Sequence, residues 1–323
     1  MSRHLCVYHE FLEPAHRARI EQAAQQAGFV PHFFTPRERE AAERCLKECE
    51  ILYTSTPSLL RASTSALKWC CAASAGVDAY CKDESLFPSP DCLLSNTNCY
   101  GVTIAEYVIM VTLMLFRRIP EYEKMIQRQE WGELLSIRSI RDTPFTLLGT
   151  GNIGANTAQR LRGMGAGPIT GVSRSGRPNP AFDQVLPMTR LDELLPRTQV
   201  LIMSLPQTPG TLHALDRRRI ALLPPEAFVI NVGRGTAIDQ DALAEALNEG
   251  KLSGAALDVA DPEPLPQGHP LWTAKNLILT PHISGNLTLA YTRDLNVEMF
   301  CQDLENYAAG RPLQGLVDRT RGY

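Results

Sequence analysis

The chain contains 323 residues, which is too long for one typical core and predicts two domains at about 150 residues each. Its net charge of −3 at pH 7 provides no basic field for nucleic acid, so nucleic acid is not expected as a partner. The start of the chain lacks the apolar region of a signal peptide, and no apolar run approaches the ~20 residues of a membrane span. We therefore expect a cytoplasmic protein without a membrane partner.

In the first hundred residues, short β-type runs alternate with helical stretches, and this alternation predicts a parallel α/β domain. Helical patterns cover residues 15–27 and 36–48. The predicted strands are the runs LCVY, FVPHFF, ILYTS, LKWCCAAS and CLLSN.

The N-terminal part of the chain also holds most of the cysteines and several histidines. The nine cysteines are odd in number and include no CxxC pair, so we interpret them as reduced thiols and predict no metal site. The spacing of the early histidines matches no ligand pattern, and we expect them at the surface: His4, His9, His16 and His32.

Helices are predicted over residues 104–116 and 120–129, and a second series of strands follows from residue 144: PFTLLG, ITGVS, VLIMS, FVINV, GAALDV and LILTP. This series is long enough for a complete nucleotide-binding domain. The stretch 286–309 is helical with no strand after it, so we expect it to return to the first domain. The predicted division is residues 1–99 with 287–323 as the substrate domain, and residues 100–286 as the dinucleotide-binding domain.

A glycine-rich loop joins the first strand of the second series to a helix predicted over residues 153–164. Its pattern is Gly149-x-Gly151-x-x-Gly154. In a strand–loop–helix context the first glycine permits a tight turn, the second lets a pyrophosphate approach the backbone, and the third permits close helix packing. The helix start adds free N–H groups, so we expect Asn152 and Ile153 to contact the cofactor as well.

The end of the next strand indicates which dinucleotide is preferred. NAD-binding proteins place a carboxylate about 20 residues after the glycine loop to hold the ribose 2′-hydroxyl. This chain has Ser173, Arg174, Ser175 and Arg177 there instead. Two guanidinium groups and two hydroxyls suit a 2′-phosphate, which predicts NADP as the preferred cofactor with NAD possible. A solvated basic loop without preference is the alternative.

Three later strands are each followed by a polar residue: Arg234, Glu263 and His282. Because ligands bind beyond the carboxyl ends of parallel strands, we expect these residues to share one rim. An arginine can hold a substrate carboxylate, and a histidine, with an ordinary pKa of about 6.5, can protonate a carbonyl oxygen as hydride arrives. Glu263 would fix the imidazole tautomer. The alternatives are a surface arginine, a loop glutamate and a helix-capping histidine.

Three segments carry a resemblance to a known family: GTGNIG, the block NVGRGTAIDQDALAEALNEGKLSGAALDVADPEPLPQGHPLW, and NLILTPHISG. The chain resembles the D-isomer-specific 2-hydroxyacid dehydrogenases. The resemblance implies an α/β fold of two doubly wound parallel-sheet domains, Rossmann and flavodoxin-like, with the active site in the cleft. It implies Arg234, Glu263 and His282 as the catalytic set.

The same resemblance implies further contacts. Asp258 matches the aspartate beside the nicotinamide carboxamide, and Ala75 and Gly76 match the backbone grip on the substrate carboxylate, which Arg234 and His282 complete. Further implied cofactor contacts are Leu205, Pro206, Thr211, Val232, Gly233 and Gly285. Members are usually homodimers through the inserted helices, here about residues 104–131.

The resemblance also implies the reaction, which is reduction of a small 2-keto acid to the D-2-hydroxy acid. The basic turn is similar to that of NADP-preferring glyoxylate/hydroxypyruvate reductases. Candidates for lining the substrate pocket are Tyr53, Thr54, Tyr100 and Trp272.

Other functions stay open. Phosphite dehydrogenase resembles the same family and keeps the Arg/Glu/His set. Formate dehydrogenases have glutamine where Glu263 stands, which disfavours that activity. Some relatives are dinucleotide-sensing corepressors, and such a protein would bind cofactor but reduce keto acids poorly.

Overall fold

The computed structural model describes residues 2–134 and 136–322. The chain divides into two compact units, one formed by Met1–Cys99 with Asn286–Tyr323 and the other by Tyr100–Gly285.

The strands, in chain order, are β1 (Arg3–Tyr8), β2 (Phe29–Phe34), β3 (Ile51–Thr54), β4 (Trp69–Ala72), β5 (Leu93–Asn96), β6 (Phe145–Leu148), β7 (Ile169–Ser173), β8 (Gln184–Pro187), β9 (Val200–Met203), β10 (Phe228–Asn231), β11 (Gly254–Leu257) and β12 (Leu277–Leu279). The helices are α1 (Pro14–Gln26), α2 (Arg39–Leu46), α3 (Asp78–Cys81), α4 (Gly101–Phe116), α5 (Ile119–Gln127), α6 (Asn152–Gly163), α7 (Leu191–Leu194), α8 (Arg217–Ile220), α9 (Gln240–Asn248) and α10 (Ala290–Ala308). Each predicted strand is present with small shifts at its ends, and β8 was not predicted.

The sheet of the first unit has the order β2-β1-β3-β4-β5, and its neighbouring strands run parallel. Every residue of β3 and β4 is buried. Continuous apolar runs of this kind are expected where helices cover both faces of a parallel sheet. The strand order is the flavodoxin-like arrangement of doubly wound folds.

Helix α10 packs within the first unit, on the sheet. The Phe300 ring stacks on the Tyr53 ring with centroids 4.1 Å apart, and the Tyr53 hydroxyl donates a hydrogen bond to Asn296 Oδ1. Both aromatic rings are fully buried. The helix begins at Ala290 rather than at residue 286, because Asn286 Oδ1 accepts a hydrogen bond from Thr288 N at 2.6 Å and forms a local turn instead.

Two of the early histidines contradict the expectation of surface placement. His9 and His16 are buried, with 3% and 7% of their surface exposed. His16 Nδ1 accepts from Glu13 N at 3.1 Å before α1, and its Nε2 lies 2.7 Å from Asp294 Oδ1. His9 Nδ1 accepts from Phe11 N at 3.1 Å, and burial lowers the pKa of His9 to about 4. Both rings accept hydrogen bonds from nearby backbone N–H groups, a role that the spacing of the histidines in the sequence does not reveal.

The sheet of the second unit has the order β12-β11-β10-β9-β6-β7-β8, again with parallel neighbours. From β6, the chain builds outward on one side to β8 and then crosses to β9 and builds to β12. The order therefore reverses between β6 and β9. In doubly wound sheets this switch point is where the loops at the carboxyl ends of the strands open and receive a ligand. The predicted fold class is confirmed for both units.

Within residues 2–134 and 136–322, no helix combines the length and the apolar character that a membrane crossing requires. The nine cysteines carry free thiols. The described part of the chain holds no cluster of three His, Cys, Asp or Glu side chains arranged for a metal ion.

Candidate active site

The glycine loop after β6 forms an open turn that leads directly into α6. Gly149 has a φ of 105°, a conformation that favours glycine. A Cβ atom on Gly154 would lie 2.0 Å from the Gly149 carbonyl oxygen, so only glycine allows the helix this close to the turn. A Cβ atom on Gly151 would meet nothing within 4 Å, which leaves open space over the loop. The residues present fit a dinucleotide pyrophosphate at the helix start, where Asn152 and Ile153 lie.

The turn after β7 displays the predicted basic residues. Ser173 Oγ accepts a hydrogen bond from Gly176 N at 3.1 Å, and Gly176 has a φ of 70°, which closes the turn. The side chains of the turn that are exposed are Arg174, Ser175 and Arg177. The turn thus presents two guanidinium groups to solvent at the carboxyl end of the strand beside β6.

The loop after β9 contains three of the predicted cofactor contacts. Leu205 is buried and Pro206 is exposed. Thr211 Oγ1 donates to the Pro206 carbonyl at 2.6 Å and accepts from Thr208 N at 2.9 Å, so this hydroxyl organises its own loop. A Cβ atom on Gly233 would lie 2.7 Å from Leu205 N, which shows how closely the loops after β9 and β10 pack.

Arg234 lies on a loop whose main chain is hydrogen-bonded to a buried asparagine. Asn231, the last residue of β10, accepts from Gly233 N at 3.0 Å and donates to the Arg234 carbonyl at 2.8 Å. Val232, between them, is buried. Sequence reasoning missed Asn231, although an amide at the end of a buried strand is a signal for such a role. Arg234 Nη1 also donates to the Gly233 carbonyl at 2.8 Å.

The loops that carry Arg234 and Glu263 are in direct backbone contact. A Cβ atom on Gly235 would lie 2.0 Å from the carbonyl carbon of Ala260. The Glu263 loop is also held from α9, because Gln240 Nε2 donates to the Asp261 carbonyl at 2.6 Å and Gln240 Oε1 accepts from Asp261 N at 3.1 Å. The position of each loop therefore depends on its neighbour.

Glu263 and His282 form a hydrogen-bonded pair. The Nδ1 atom of His282 lies 2.9 Å from Glu263 Oε2. An ionised carboxylate only accepts hydrogen bonds, so Nδ1 carries a proton and donates it. Glu263 Oε1 accepts from Ala260 N at 3.0 Å. The two side chains are 45% and 41% exposed, which leaves the imidazole open to solvent and to a ligand.

The turn that carries His282 is built on Asp258, which is 1% exposed. Its carboxylate accepts from Ile283 N at 2.8 Å and from Ser284 N at 2.9 Å. Its backbone carbonyl accepts from His282 N at 2.7 Å. Beyond the turn, a Cβ atom on Gly285 would lie 2.6 Å from a side-chain carbon of Ile104 in α4, so this glycine permits close packing on the helix.

A cavity of about 550 Å³ opens beside the Glu263–His282 pair. Its walls are mostly apolar, and they include Asp258, Leu265, Trp272 and Leu279. Trp272 is 56% exposed and its Nε1 donates to the Pro266 carbonyl at 2.8 Å. The structure therefore brings one pocket candidate, Trp272, together with the predicted acid pair.

The other pocket candidates lie elsewhere. Tyr53 and Thr54 are fully buried in the first unit, so the expectation that they line a pocket is wrong. Tyr53 stacks in the core, and Thr54 Oγ1 accepts from Thr56 N at 3.0 Å. Tyr100 is 6% exposed and packs near Gly285 within the second unit.

Ala75 and Gly76 lie in the loop after β4 of the first unit. Asn96 Nδ2 donates to the Ala75 carbonyl at 2.7 Å, and Ser74 Oγ donates to the Gly76 carbonyl at 2.8 Å. Both carbonyl groups are thereby fixed by side chains, which defines the orientation of the peptide groups in this loop.

Comparison with known proteins agrees with this geometry. Residues 109–284 match the family described as D-isomer specific 2-hydroxyacid dehydrogenase, NAD binding domain. Glyoxylate/hydroxypyruvate reductase A of Klebsiella pneumoniae (strain 342) is 34% identical over 267 residues, which cover 80% of this chain and 82% of that protein.

Two solved structures are similar over the whole fold. A D-isomer specific 2-hydroxyacid dehydrogenase family protein from Aeromonas salmonicida superposes with a TM-score of 0.82 and 31% identity, covering 99% of this chain and 100% of that chain. The NADPH-dependent glyoxylate/hydroxypyruvate reductase from Sinorhizobium meliloti was solved with NADP and sulfate. It superposes with a TM-score of 0.82 and 27% sequence identity, covering 99% of this chain and 100% of that chain. The resemblance predicted from sequence is thus confirmed. This chain belongs to the D-isomer specific 2-hydroxyacid dehydrogenase family of oxidoreductases.

Proposed function

We propose that the chain reduces a small 2-keto acid, of the glyoxylate or hydroxypyruvate type, to the D-2-hydroxy acid with NADPH. The contact between His282 Nδ1 and Glu263 Oε2 at 2.9 Å, at the carboxyl edge of a dinucleotide-type sheet, carries this proposal. The names of the similar reductases from Klebsiella pneumoniae and Sinorhizobium meliloti support the substrate class.

Each residue of the catalytic set has a separate task. Because Glu263 holds Nδ1, Nε2 of His282 is the atom that donates a proton to the substrate carbonyl oxygen. Arg234 binds the substrate carboxylate and polarises the carbonyl. A nicotinamide dinucleotide held by the second unit would supply the hydride for the reduction.

The remaining predicted contacts hold the dinucleotide. The glycine loop with Asn152 and Ile153 would take the pyrophosphate, and the exposed Arg174 and Arg177 with Ser173 and Ser175 would take the 2′-phosphate. Binding of NADP in the Sinorhizobium meliloti reductase supports this preference, and NADH is the weaker alternative. The loops after β9, β10, β11 and β12 would line the nicotinamide half of the site through Leu205, Pro206, Thr211, Val232, Gly233, Asp258 and Gly285.

We also propose that the protein is a homodimer through the α4–α5 region, in the cytoplasm. Large apolar side chains are exposed along and just beyond these helices: Met110, Ile126, Trp131 and Ile137. Trp131 is fully exposed, which is unusual for an indole in a monomer. Light scattering after size-exclusion chromatography tests the dimer, and a monomeric mass for the native protein contradicts it. The free thiols fit a reducing compartment.

The direct test is oxidation of NADPH, followed by its absorbance, with glyoxylate, hydroxypyruvate, pyruvate and a bulkier 2-keto acid, repeated with NADH. Turnover of a small keto acid with NADPH preferred supports the proposal. The reverse assay, NADP⁺ with phosphite, tests the alternative of a phosphite dehydrogenase. Tight binding of NADPH without turnover of any of these substrates would instead indicate a dinucleotide sensor.

A further inference from the structure

A chain of hydrogen bonds links helix α4 to the turn that carries His282. The Tyr107 hydroxyl lies 2.6 Å from Thr280 Oγ1, and Thr280 Oγ1 lies 2.7 Å from Asp258 Oδ1. Tyr107 lies in the middle of α4, Thr280 directly follows β12, and Asp258 directly follows β11. All three side chains belong to the second unit.

The chemistry of the three groups fixes the direction of this chain. The Asp258 carboxylate accepts from two backbone N–H groups, and a carboxylate without a proton can only accept hydrogen bonds. Thr280 therefore donates its only hydroxyl proton to Asp258, and its oxygen accepts from Tyr107. Burial raises the pKa of Tyr107 to about 12, so the phenol keeps the proton that it donates.

The two oxygens of Asp258 are used unequally. Oδ1 accepts from Thr280 Oγ1 and from Ile283 N, whereas Oδ2 accepts from Ser284 N. Each carboxylate oxygen can take about two hydrogen bonds, so Oδ1 is filled and Oδ2 retains capacity for one more. Oδ2 is thus the oxygen with room for a donor from a ligand.

The same carboxylate sets the backbone of the catalytic turn. His282 has a φ of 57°, a conformation that residues other than glycine adopt rarely and that surrounding contacts must hold. Asp258 provides those contacts through its own carbonyl to His282 N and through its side chain to the next two residues. Any rotation of the carboxylate would disturb the turn.

We propose that Tyr107 and Thr280 are positioning residues of the active site. Their hydroxyls fill Oδ1 of Asp258, which keeps Oδ2 available to the carboxamide of the nicotinamide ring and holds the turn that presents His282. This inference rests on the proposed function for the identity of the ligand, and it assigns a role to two residues outside the catalytic set.

The test compares a complete dinucleotide with a fragment that lacks the nicotinamide. Isothermal titration calorimetry gives Kd values for NADPH and for adenosine 2′,5′-bisphosphate, which shares only the adenosine half. For Tyr107→Phe we expect Kd for NADPH to rise roughly 3- to 10-fold, the effect of one hydrogen bond in a charged network. The Kd for the bisphosphate should not change, because the pyrophosphate loop and the basic turn are untouched.

Thr280 offers a matched pair. Thr280→Val keeps the shape of the side chain and removes the hydroxyl. It should weaken NADPH binding at least as much as Tyr107→Phe does. Thr280→Ser keeps the hydroxyl and should return Kd close to the wild-type value. Tyr80→Phe is the control for a buried tyrosine: its hydroxyl donates to the Thr54 carbonyl at 2.9 Å in the first unit, and its loss should change neither Kd.

Equal weakening of both ligands in Tyr107→Phe would overturn the inference, because it would show general loosening of the domain. Unchanged binding of both ligands in Thr280→Val would overturn it as well. These binding measurements do not require turnover. A wild-type protein that binds NADPH but reduces no keto acid therefore contradicts the proposed function, while the variants still decide the inference.

Discussion

Glu263 contacts His282 with one carboxylate oxygen and its own loop with the other. Oε2 lies 2.9 Å from His282 Nδ1, and Oε1 accepts from Ala260 N at 3.0 Å. The loop therefore fixes the orientation of the Glu263 carboxylate, and the carboxylate in turn fixes the orientation of the His282 ring. Because both side chains are more than 40% exposed, the pair contributes little to folding stability, and its value lies in orientation.

The change His282→Gln removes the proposed proton donor and keeps a polar side chain. We expect kcat with a keto acid to fall roughly 10²- to 10⁴-fold, the usual range for loss of a general acid. Binding of NADPH should stay the same, which calorimetry checks. Turnover at the wild-type rate would show that another group protonates the substrate. The exposed His213 provides the control, and His213→Gln should keep full activity.

The double change Arg174→Ala with Arg177→Ala removes both cations of the turn after β7. We expect KM for NADPH to rise by roughly 10-fold or more, since a charge-assisted contact to phosphate is worth about 1.5–3 kcal/mol, whereas KM for NADH changes little. The matched control is Arg190→Ala with Arg197→Ala, two exposed arginines of the same unit. If KM for NADPH and KM for NADH rise by the same factor in the turn variant, the turn does not recognise the 2′-phosphate.

Two glycines of helix α6 differ in the space available for a side chain, and comparing them tests the packing of the helix on the glycine loop. A Cβ atom on Gly154 would lie 2.0 Å from the Gly149 carbonyl oxygen, whereas one on Gly163 would meet nothing within 4 Å. We expect Gly154→Ala to lower the free energy of unfolding by about 1–3 kcal/mol and to weaken NADPH binding. Gly163→Ala should leave stability equal or raise it by about 0.5–1 kcal/mol. Urea denaturation measures both, and similar values for the two variants would refute the close approach.

The buried His9 predicts how stability depends on pH. Its pKa is lowered from 6.5 to about 4 by burial, so the unfolded chain binds more protons between these values. The free energy of unfolding should therefore fall as the pH falls from 6.5 to 4, by up to about 3 kcal/mol from this group.

The variant His9→Asn keeps an acceptor for Phe11 N and removes the titrating ring. We expect its stability to decline less steeply over the same pH range in a series of urea titrations. His213→Asn, at an exposed position with a left-handed φ that asparagine tolerates, should follow the wild-type curve. Parallel curves for His9→Asn and wild type would show that His9 does not carry the pH dependence.

The sequence predicted the strands well because their apolar runs are continuous, and it missed β8 for a physical reason. Gln184–Pro187 lies at the edge of the second sheet, is only partly buried and ends in proline, so it carries neither an apolar run nor a regular alternation. Helix α4 begins at Gly101 rather than at residue 104. A Cβ atom at Gly101 would lie 1.8 Å from Asn152 Oδ1, so a glycine that suggests a loop in the sequence permits packing on α6.

In the candidate site, too, some features could be predicted from the sequence and others could not. The spacing of polar residues after successive strands predicted that Glu263 and His282 would lie close together, and they do. Tyr107 could not be predicted as a supporting group, because it reaches Asp258 through Thr280 and both partners are distant in sequence. Asn231, by contrast, bonds to the main chain of its near neighbours, and its place at the end of a buried strand is a local signal that was overlooked. A hydroxyl in the middle of an apolar helix has no local pattern that identifies it.

The contact between Gly235 and Ala260 has a consequence for changing substrate selectivity. It ties the loop of Arg234 to the loop of Glu263 through main-chain atoms, so the spacing between these two loops is set by backbone geometry. Replacing side chains around the cavity, such as Trp272, would change which substituents fit and leave that spacing unchanged. An enzyme built in this way can exchange one 2-keto acid for another without rebuilding its chemistry.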